Sequence, residues 1–571
     1  MTHSTTTLDA LWAPASVAVV GASADPNKTG GRPVAYLLKH GFKGDIWPIN
    51  PRADEIAGLP CFASVADLPS APDMAIVLLG VERAEAAVRD LSDKGCKLAI
   101  VLASGYGEAG EEGRARQDAL KAAAGDMRLL GPNTIGAMDL SRGIVLSASG
   151  ALEGDNIAKG GISVASQSGG ILGALLSRGA ARGIGFCKLA STGNEADIDI
   201  ADLIEAYAHD EETTVIAAYI EGIRSVEKFR RAATAARHAG KPVVVYKVGR
   251  SESGARAAVS HTGAMAGEDR TYDALFRQLG VIRAQTFSDL LDLPAMLASR
   301  RRLGGTRIAI LTSTGGAGSL VADNCGILGL DVPELDVATG QTLADLLGAD
   351  APMIGNPVDV TLAGVEPAIM TAATQALLAS DGIDGVVVVV GSSALARPDV
   401  AAGAIRAGLA ASDKPLIAYV SPHAPNIVDL LNREGVPAFA APETCATVLD
   451  AALPIAPAGA PLVLSGAAAP EGLPSGTLNE AEARALFDFV DRHRPRDVDP
   501  PADLKPFVPD FQPAVGDIDE FVKIPRPDGV ADELGLRVLD EPKATQSDPD
   551  VLRLKLRRVR YTGSHTTASA M

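Results

Sequence analysis

Short runs rich in valine and isoleucine, bounded by glycine and separated by helix-length stretches, recur through most of the chain. Strands with one solvent-exposed face alternate apolar and polar residues, and these runs do not. They therefore indicate strands that are buried on both faces. The stretches between them supply the helical crossovers that parallel strands need. The pattern therefore predicts an α/β fold of doubly wound parallel sheets. In the first segment the runs are SVAVVG (16–21), GDIWPINP (44–51), DMAIVLLG (73–80), KLAIVLAS (97–104) and RLLGPN (128–133).

The strand pattern restarts twice, at GGISVASQSGG (160–170) and at RIAILTSTGGAG (307–318). Both restarts have a strand, a Ser/Thr-Gly-Gly turn and an alanine-rich helix, which indicates an internal repeat of flavodoxin-like domains. We expect three successive domains, then an Ala/Pro/Gly-rich linker with one short amphipathic helix, then a proline-rich and mostly irregular tail. The expected ranges are 1–145, 146–303, 304–455, 456–490 and 491–571.

Composition narrows the class of function. The net charge of -18 argues against general affinity for nucleic acid or anionic membranes, and aromatic residues, at 4%, are too scarce for base stacking. The five cysteines form no pair at metal-ligand spacing, which favours a reducing compartment over a disulfide framework or a zinc site. No uninterrupted apolar stretch is long enough to span a bilayer. We therefore expect a soluble cytoplasmic protein with no metal site, no nucleic-acid partner and no membrane span.

In doubly wound sheets the ligand binds at the carboxyl ends of the strands. The first such loop, VVGASADPNKTGGRP, lets backbone amides approach an anion, but as a bare loop it is weak evidence, and an ordinary strand-to-helix turn explains it better. Its spacing is not G-x-G-x-x-G, which disfavours dinucleotide redox binding. The candidate binding residues of the first domain are Gly21, Ala22, Ser23, Lys28, Asn50, Pro51, Ser104, Gly131, Pro132 and Asn133.

The SQSGG segment places small polar residues at a predicted helix N-terminus, where free amides and the helix dipole favour an anion. The candidate phosphate-binding residues are Ser166, Gln167, Ser168 and Gly169. A simple N-cap by Ser166 or Ser168 explains the same residues, and the sequence leaves the two readings open.

The run Ser260–Gly263, SHTG, places a histidine between two hydroxyl residues and before a glycine. This arrangement suits covalent chemistry at the imidazole of His261, while the alternative is a loop histidine at a turn. Glu221, at the end of a predicted strand, can orient such an imidazole, or it is a solvated strand-end acid. The acidic residues of STGNEADID (191–199) have no spaced partner and are weak evidence for a metal site.

Taken together, these segments resemble the nucleoside-diphosphate-forming acyl-CoA synthetases, relatives of succinyl-CoA synthetase and of the acetate–CoA ligase alpha subunit. The resemblance runs from about residue 10 to about residue 453 and rests on GAS with PNKTG, WPINP, GYGEAG, GPNTIG, SQSGG, STGNEADID, YIEGI, SHTGAMAG and TSTGGAG, in the family's order. It implies that the first-domain loops bind coenzyme A and that SQSGG helps to hold phosphate. It also implies a phosphohistidine at His261, supported by the Glu221 carboxylate.

The resemblance implies a reaction in stages. Phosphate attacks an acyl-CoA, His261 takes the phosphoryl group from the acyl phosphate, and ADP receives it, with the reverse direction equally available. Full-length family members continue into an ATP-grasp domain that binds nucleotide and magnesium. Here LNEAEARALFDF resembles only the opening helix of that domain. We therefore expect ATP, ADP and Mg²⁺ to bind only through an ATP-grasp partner: either a separate beta subunit supplies it, as in two-subunit members of the family, or the chain cannot complete the reaction.

A second resemblance covers about 504–552, LKPFVPDFQPAVGDIDEFVKIPRPDGVADELGLRVLDEPKATQSDPDVL. It is similar to the C-terminal part of a core subunit of the intraflagellar transport B complex, which implies binding to other transport subunits and a ciliary location. The expected anchors on a partner are Phe507, Phe511, Phe521 and Leu536. The alternatives are a disordered acidic, proline-rich tail and two unrelated reading frames joined in a gene model.

Overall fold

The computed structural model describes residues 8–154, 157–254, 256, 269–348, 355–360, 366–410, 412–454, 523–525 and 551–553. Within these ranges, three sheets built mainly from parallel strands follow one another along the chain. The predicted fold class, successive doubly wound α/β units, is confirmed. Among the described helices, none is both long enough and apolar enough to cross a bilayer.

The first sheet has the strand order β2-β1-β5-β6-β7, and every neighbouring pair is parallel. Alternate residues of β1 face opposite cores: Val17 and Val19 pack on one side, and Ala18 and Val20 on the other. This explains why the run is apolar throughout. The elements are α1 (Asp9–Trp12), β1 (Ser16–Val20), α2 (Arg32–Lys39), β2 (Asp45–Ile49), β3 (Glu55–Ile56), β4 (Leu59–Pro60), β5 (Met74–Val77), α3 (Val81–Lys94), β6 (Leu98–Val101), α4 (Glu111–Ala124) and β7 (Arg128–Leu130).

The second sheet has the order β14-β13-β12-β10-β11-β8-β9, with an antiparallel hairpin, β8 and β9, at one edge. The expected domain boundary at residue 145 falls inside β9. Hydrogen bonds join the hairpin of β8 and β9 to β11 and so to the second sheet. The elements are β8 (Gly136–Asp139), β9 (Ile144–Ser147), β10 (Lys159–Ser166), α5 (Gly169–Ala180), β11 (Phe186–Ser191), α6 (Ile200–His209), β12 (Val215–Ile220), α7 (Val226–His238), β13 (Val243–Lys247), α8 (Asp269–Leu279), β14 (Ile282–Arg283) and α9 (Asp289–Leu297).

The third sheet has the order β16-β15-β17-β18-β19 and is parallel throughout. Its elements are β15 (Ile308–Thr312), α10 (Gly315–Ile327), α11 (Val337–Leu347), β16 (Val358–Asp359), α12 (Pro367–Ala379), β17 (Gly385–Val390), α13 (Pro398–Leu409), β18 (Leu416–Val420), α14 (Pro425–Arg433), β19 (Ala438–Phe439) and α15 (Pro442–Asp450).

Shared cores join the three sheets. Residues of β1 and β12, such as Val17 and Ile216, belong to one apolar cluster, and residues of β12 and β17, such as Ala217 and Val387, belong to another. The three sheets accordingly lie within one compact unit, Met1–Pro461. The second unit, Leu462–Met571, contains an antiparallel pair, β20 (Lys523–Pro525) and β21 (Val551–Arg553).

Candidate functional site

The loops after β1 and β2 lie side by side at the carboxyl edge of the first sheet. The amides of Gly21 and Ala22 donate to the Ile49 carbonyl at 3.0 and 3.2 Å. The Asn50 side chain donates to the Ala22 carbonyl at 2.8 Å. Gly21 has a φ of 85°, and a Cβ there would lie 2.9 Å from the Leu79 side chain. This turn therefore requires glycine, and it places three predicted coenzyme A residues next to one another.

Other predicted residues of the first domain occupy the same edge. The side chains of Lys28, Pro51 and Ser104 are exposed. The amide of Asn133 donates to the Ala103 carbonyl at 2.8 Å, so the GPN turn lies beside the loop after β6. The edge thus presents a cation, a hydroxyl and backbone groups to solvent.

The GPN turn is also held against the loop that follows β11. The Asn194 amide donates to the Pro132 carbonyl at 2.9 Å. Gly193 lies in this contact with a φ of 57°, and a Cβ there would lie only 2.2 Å from the Pro132 carbonyl oxygen. Any larger residue at 193 would push the loop of the first sheet away from that of the second.

A carboxylate that the sequence interpretation missed, Glu108, strengthens this junction. Its oxygens accept hydrogen bonds from the Gly105 amide at 2.5 Å, the Tyr106 amide at 3.2 Å and the Asn194 side chain. Burial works to raise the pKa of Glu108, but the Asn194 and backbone hydrogen bonds outweigh it and hold the pKa below its ordinary value. Glu108 is therefore an acceptor that joins the two loops.

The SQSGG segment runs from the end of β10 into α5. The Ser166 hydroxyl donates to the Ser168 carbonyl at 2.7 Å and accepts from the Ser168 amide at 3.2 Å. Ser168 is the N-cap, and its hydroxyl accepts from the Ile171 amide at 3.4 Å. The N-cap reading is thus present in the structure. It leaves the other amides of the first helical turn, beginning at Gly169, without an intrahelical partner, as at any helix N-terminus.

The Gln167 side chain connects SQSGG to the loop after β12. Its Oε1 accepts hydrogen bonds from the Glu221 and Gly222 amides, and its Nε2 donates to the Gly222 carbonyl at 2.8 Å. Glu221 is half-buried at this strand end. The structure therefore brings the predicted phosphate-binding segment and the predicted supporting carboxylate to adjoining strand ends.

Glu195 is a buried carboxyl beside this connection. It accepts hydrogen bonds from the Thr192 hydroxyl at 3.0 Å and the Ile200 amide at 2.9 Å, and it pairs with Arg224 at 3.1 Å. Burial raises the pKa of Glu195 to about 7, against the lowering effect of a Gln167 hydrogen bond and of Arg224. Glu195 thus links the second-sheet loops and titrates close to neutrality.

The polar side chains of STGNEADID do not converge on one point. The Asn194 side chain faces Glu108, whereas the Asp197 carboxylate accepts from Arg128 at 2.6 Å and from the Leu129 amide at 2.9 Å. These contacts hold loops together and do not form a set of ligands for one metal ion.

His261 and its neighbours Ser260, Thr262 and Gly263 lie outside the described residues. The chain leaves the sheet for this segment at the end of β13, which pairs with β12 through Ile220 and Lys247. Lys247 is buried, and its ammonium lies 4.6 Å from the ring centroid of Tyr272, on α8. Burial lowers the pKa of Lys247. A lysine at the end of the apolar run VVVYK was the sequence signal for this buried cation.

The third sheet repeats the turn of the second. The Thr312 hydroxyl donates to the Thr314 carbonyl at 2.8 Å and accepts from the Thr314 amide at 2.9 Å. Ser166 and Ser168 make the same pair of bonds. The likeness seen in the sequence therefore extends to the geometry of the turn.

A charge cluster around the buried Lys188 lies away from these loops, near the amino-terminal end of β11. Its Cys187, Asp210 and Glu212 form a group that, within the described ranges, has the spacing of metal ligands. The Lys188 ammonium already lies among them, 2.9 Å from Asp210, 3.2 Å from Glu212 and 3.3 Å from the buried Asp139. Burial raises the pKa of the Cys187 thiol to about 11, so this thiol is a poor metal ligand. The cluster is an ion-pair network centred on the buried Lys188.

Three family models match the chain. The model described as CoA binding domain matches residues 15–139, and the model described as succinyl-CoA ligase like flavodoxin domain matches residues 159–297. The model described as intraflagellar transport complex B protein 46 C terminal matches residues 473–571.

Individual proteins extend these matches. The chain is 34% identical, over 451 residues, to the alpha subunit of acetate–CoA ligase [ADP-forming] II of Pyrococcus furiosus, covering 77% of the chain and 96% of that protein. The solved structure of the dinucleotide-forming acetyl-coenzyme A synthetase 1 of Ca. Korarchaeum cryptofilum, in complex with phosphate and ADP, is 30% identical and has a TM-score of 0.70, covering 78% of the chain and 96% of that chain. The C-terminal region is 55% identical over 78 residues, 14% of the chain, to intraflagellar transport protein 46 of Chlamydomonas reinhardtii, of which it covers 23%. Both resemblances stated from the sequence are confirmed.

Proposed function

The chain belongs to the family of ADP-forming acetate–CoA ligase alpha subunits, and on that premise we propose that it converts acyl-CoA and phosphate into acid and coenzyme A through a phosphohistidine at His261. One observation carries the assignment of residues. The Gln167 side chain joins the end of β10, which carries SQSGG, to the end of β12, which carries Glu221. Strand β13 lies next to β12 in the sheet, and the chain leaves β13 toward the His261 segment.

In the first step a phosphate oxygen attacks the thioester carbonyl. The carbon–sulfur bond breaks, acyl phosphate forms, and the coenzyme A thiolate takes a proton. We assign coenzyme A binding to the first-sheet loops at Gly21–Ser23, Asn50, Ser104 and Gly131–Asn133. The position of these loops supports this assignment, because they follow β1, β2, β6 and β7 at the carboxyl edge of a parallel sheet, where doubly wound sheets bind their ligands.

In the second step a nitrogen of His261 attacks the phosphorus of the acyl phosphate. The phosphorus–oxygen bond to the acyl group breaks, the carboxylate leaves, and the imidazole loses its proton. We assign Glu221 to orient the imidazole by accepting its second N–H, which raises its nucleophilicity. The first-turn amides of α5 hold the phosphoryl oxygens, since the helix dipole favours an anion there.

The third step, transfer to ADP, is assigned to an ATP-grasp beta subunit that supplies the nucleotide and Mg²⁺. The chain covers nearly the whole length of an alpha subunit in this family, which supports this division. All five cysteines are free in the structure, which supports our assignment of the ligase to the cytoplasm.

The experiment is to incubate the purified protein with ³²P-labelled acetyl phosphate and to measure acid-labile label on the protein. We expect labelling of the wild type and of His238→Ala, a control on the exposed end of α7, and none of His261→Ala. An unlabelled wild type, or equal labelling of His261→Ala, would refute the proposal.

A second function is favoured by the C-terminal match. We propose that residues 504–552 bind subunits of an intraflagellar transport particle and so bring the chain to the cilium, independently of the ligase reaction. Transport subunits should co-purify with the full chain and be lost when residues 504–571 are deleted. If the full chain retains none of them, this function is excluded. Sequencing one transcript across residues 472–505 tests whether the two regions are expressed together.

A further inference from the structure

We infer that Gln167 is a positioning residue, which sets the Glu221 carboxylate by fixing the backbone that carries it. The inference rests on the proposed function, because it takes Glu221 as the group that orients His261. It also reassigns one member of the predicted phosphate-binding segment, since Gln167 acts on the neighbouring loop and not on the phosphate.

The sheet itself explains why such a residue is needed. Strand β10 pairs with β12 as far as Ser166 and Tyr219, and the Gln167 amide makes the last backbone bond, 3.1 Å to the Tyr219 carbonyl. At Ser168 the chain turns into α5. The chain of β12 continues past that point to Glu221, where β10, its neighbour on this side, has already turned away.

The Gln167 carboxamide takes the place of the missing strand. A carboxamide has the same donor and acceptor as a peptide group, so it can extend a ladder by its own bonds. Oε1 accepts from the amides of Glu221 and Gly222, and Nε2 donates to the Gly222 carbonyl at 2.8 Å. The two bonds from the Glu221 and Gly222 amides fix the peptide planes on either side of the Glu221 Cα, and the bond to the Gly222 carbonyl fixes the next peptide. Together they set the direction of the Glu221 side chain.

A side-chain amide has two acceptor positions and two donor hydrogens, and three of these four are engaged by the Glu221–Gly222 segment. A hydrogen bond from Gln167 also contributes to lowering the pKa of the buried Glu195 carboxyl, against the larger effect of burial. The bonds of the Gln167 carboxamide therefore go to protein groups of the second sheet. Its effect on the reaction passes through Glu221.

This route predicts a specific double-mutant result. Gln167→Met keeps the length of the side chain and removes its polar atoms, and we expect it to slow labelling of His261 by acetyl phosphate about 10- to 100-fold, as for other residues that orient a reactive group. Glu221→Gln removes the group that Gln167 positions. Adding Gln167→Met to Glu221→Gln should cause no further loss, because the two residues act as one unit.

A second readout does not depend on activity. In Gln167→Met, hydrogen exchange of the amides at Glu221 and Gly222 should accelerate, while Gln278→Met, which loses a part-buried 3.0 Å bond from Arg230 elsewhere in the same unit, should leave them unchanged. Thermal melting of each variant checks that the fold is retained.

The outcomes separate the inference from the proposed function. If the wild type is not labelled, the proposed function fails and the inference fails with it as a statement about catalysis, whatever the exchange shows. If the wild type is labelled but the two substitutions multiply in the double variant, the inference is overturned and the proposed function stands. Unchanged exchange at Glu221 and Gly222 in Gln167→Met would equally overturn it.

Discussion

Glu195→Gln should remove a pH-dependent loss of local stability near neutrality. Burial raises the pKa of Glu195 from 4.5 to about 7. At pH values between 4.5 and about 7, the Glu195 carboxyl therefore keeps its proton in the folded chain and loses it in the opened chain. The stabilising contribution is full below the unfolded pKa and is lost as the pH rises through the folded pKa. From about pH 5 to about pH 7 the loss amounts to about 2 kcal/mol, since one pKa unit corresponds to about 1.4 kcal/mol.

Hydrogen–deuterium exchange of the peptide over 191–209 measures this loss, because the Ile200 amide donates directly to Glu195. Relative to Glu195→Gln, protection in the wild type should fall about 30-fold over that pH range, which is the factor that about 2 kcal/mol represents. Glu108→Gln is the control, read in the peptide over 105–124. The pKa of Glu108 is lowered, so its contribution to stability changes only at more acidic pH. The difference in protection between Glu108→Gln and wild type should therefore stay constant over the same pH range. Equal pH dependence in wild type and Glu195→Gln would refute the reasoning.

Two further substitutions test the packing of the compact unit. Lys188→Met removes the nearer of the two cations that face the buried Asp139 carboxylate, since Lys188 lies 3.3 Å from it and Arg142 4.0 Å. It should cost about 3–5 kcal/mol in urea unfolding, with part of the loss recovered by adding Asp139→Asn; a Lys188→Met variant as stable as wild type would contradict the ion-pair account. Gly193→Ala should lower the thermal midpoint more than Gly240→Ala. Both positions have a positive φ, but only at 193 would the new Cβ meet a carbonyl oxygen, 2.2 Å away; equal shifts would show that the two loops are not packed as described.

Much of the fold was predictable because buried parallel strands appear in the sequence as short continuous apolar runs. A run such as SVAVVG can only lie between two apolar layers, and the repeated Ser/Thr-Gly-Gly turn marked the start of two sheets. The pairing of β8 and β9 with the second sheet was not predicted. Hydrogen bonding to β11, 40 or more residues later in the chain, decides their sheet, and no local pattern carries that information.

The site was predictable in part for a related reason. Strand-end residues such as Glu221 and Ser166 could be placed because parallel strands end at one edge. The side-chain hydrogen bonds that join the loops of the site could not be predicted, since their partners come from distant segments. Glu108 accepts from Asn194, 86 positions later in the chain, and Gln167 donates to Gly222, 55 positions later. Such side-chain bonds depend on how neighbouring strands are ordered, which the sequence pattern of one strand does not contain.

The central claim is that acyl-CoA and phosphate together phosphorylate His261. The direct measurement is to supply the protein with acetyl-CoA and ³²P-labelled orthophosphate, to follow the released coenzyme A thiol, and to locate the label by mass spectrometry of the peptide that contains residue 261. The account predicts label on His261 only when both substrates are present, with one thiol released for each phosphate bound. Thiol release without label on His261, or label that persists in His261→Ala, would contradict it.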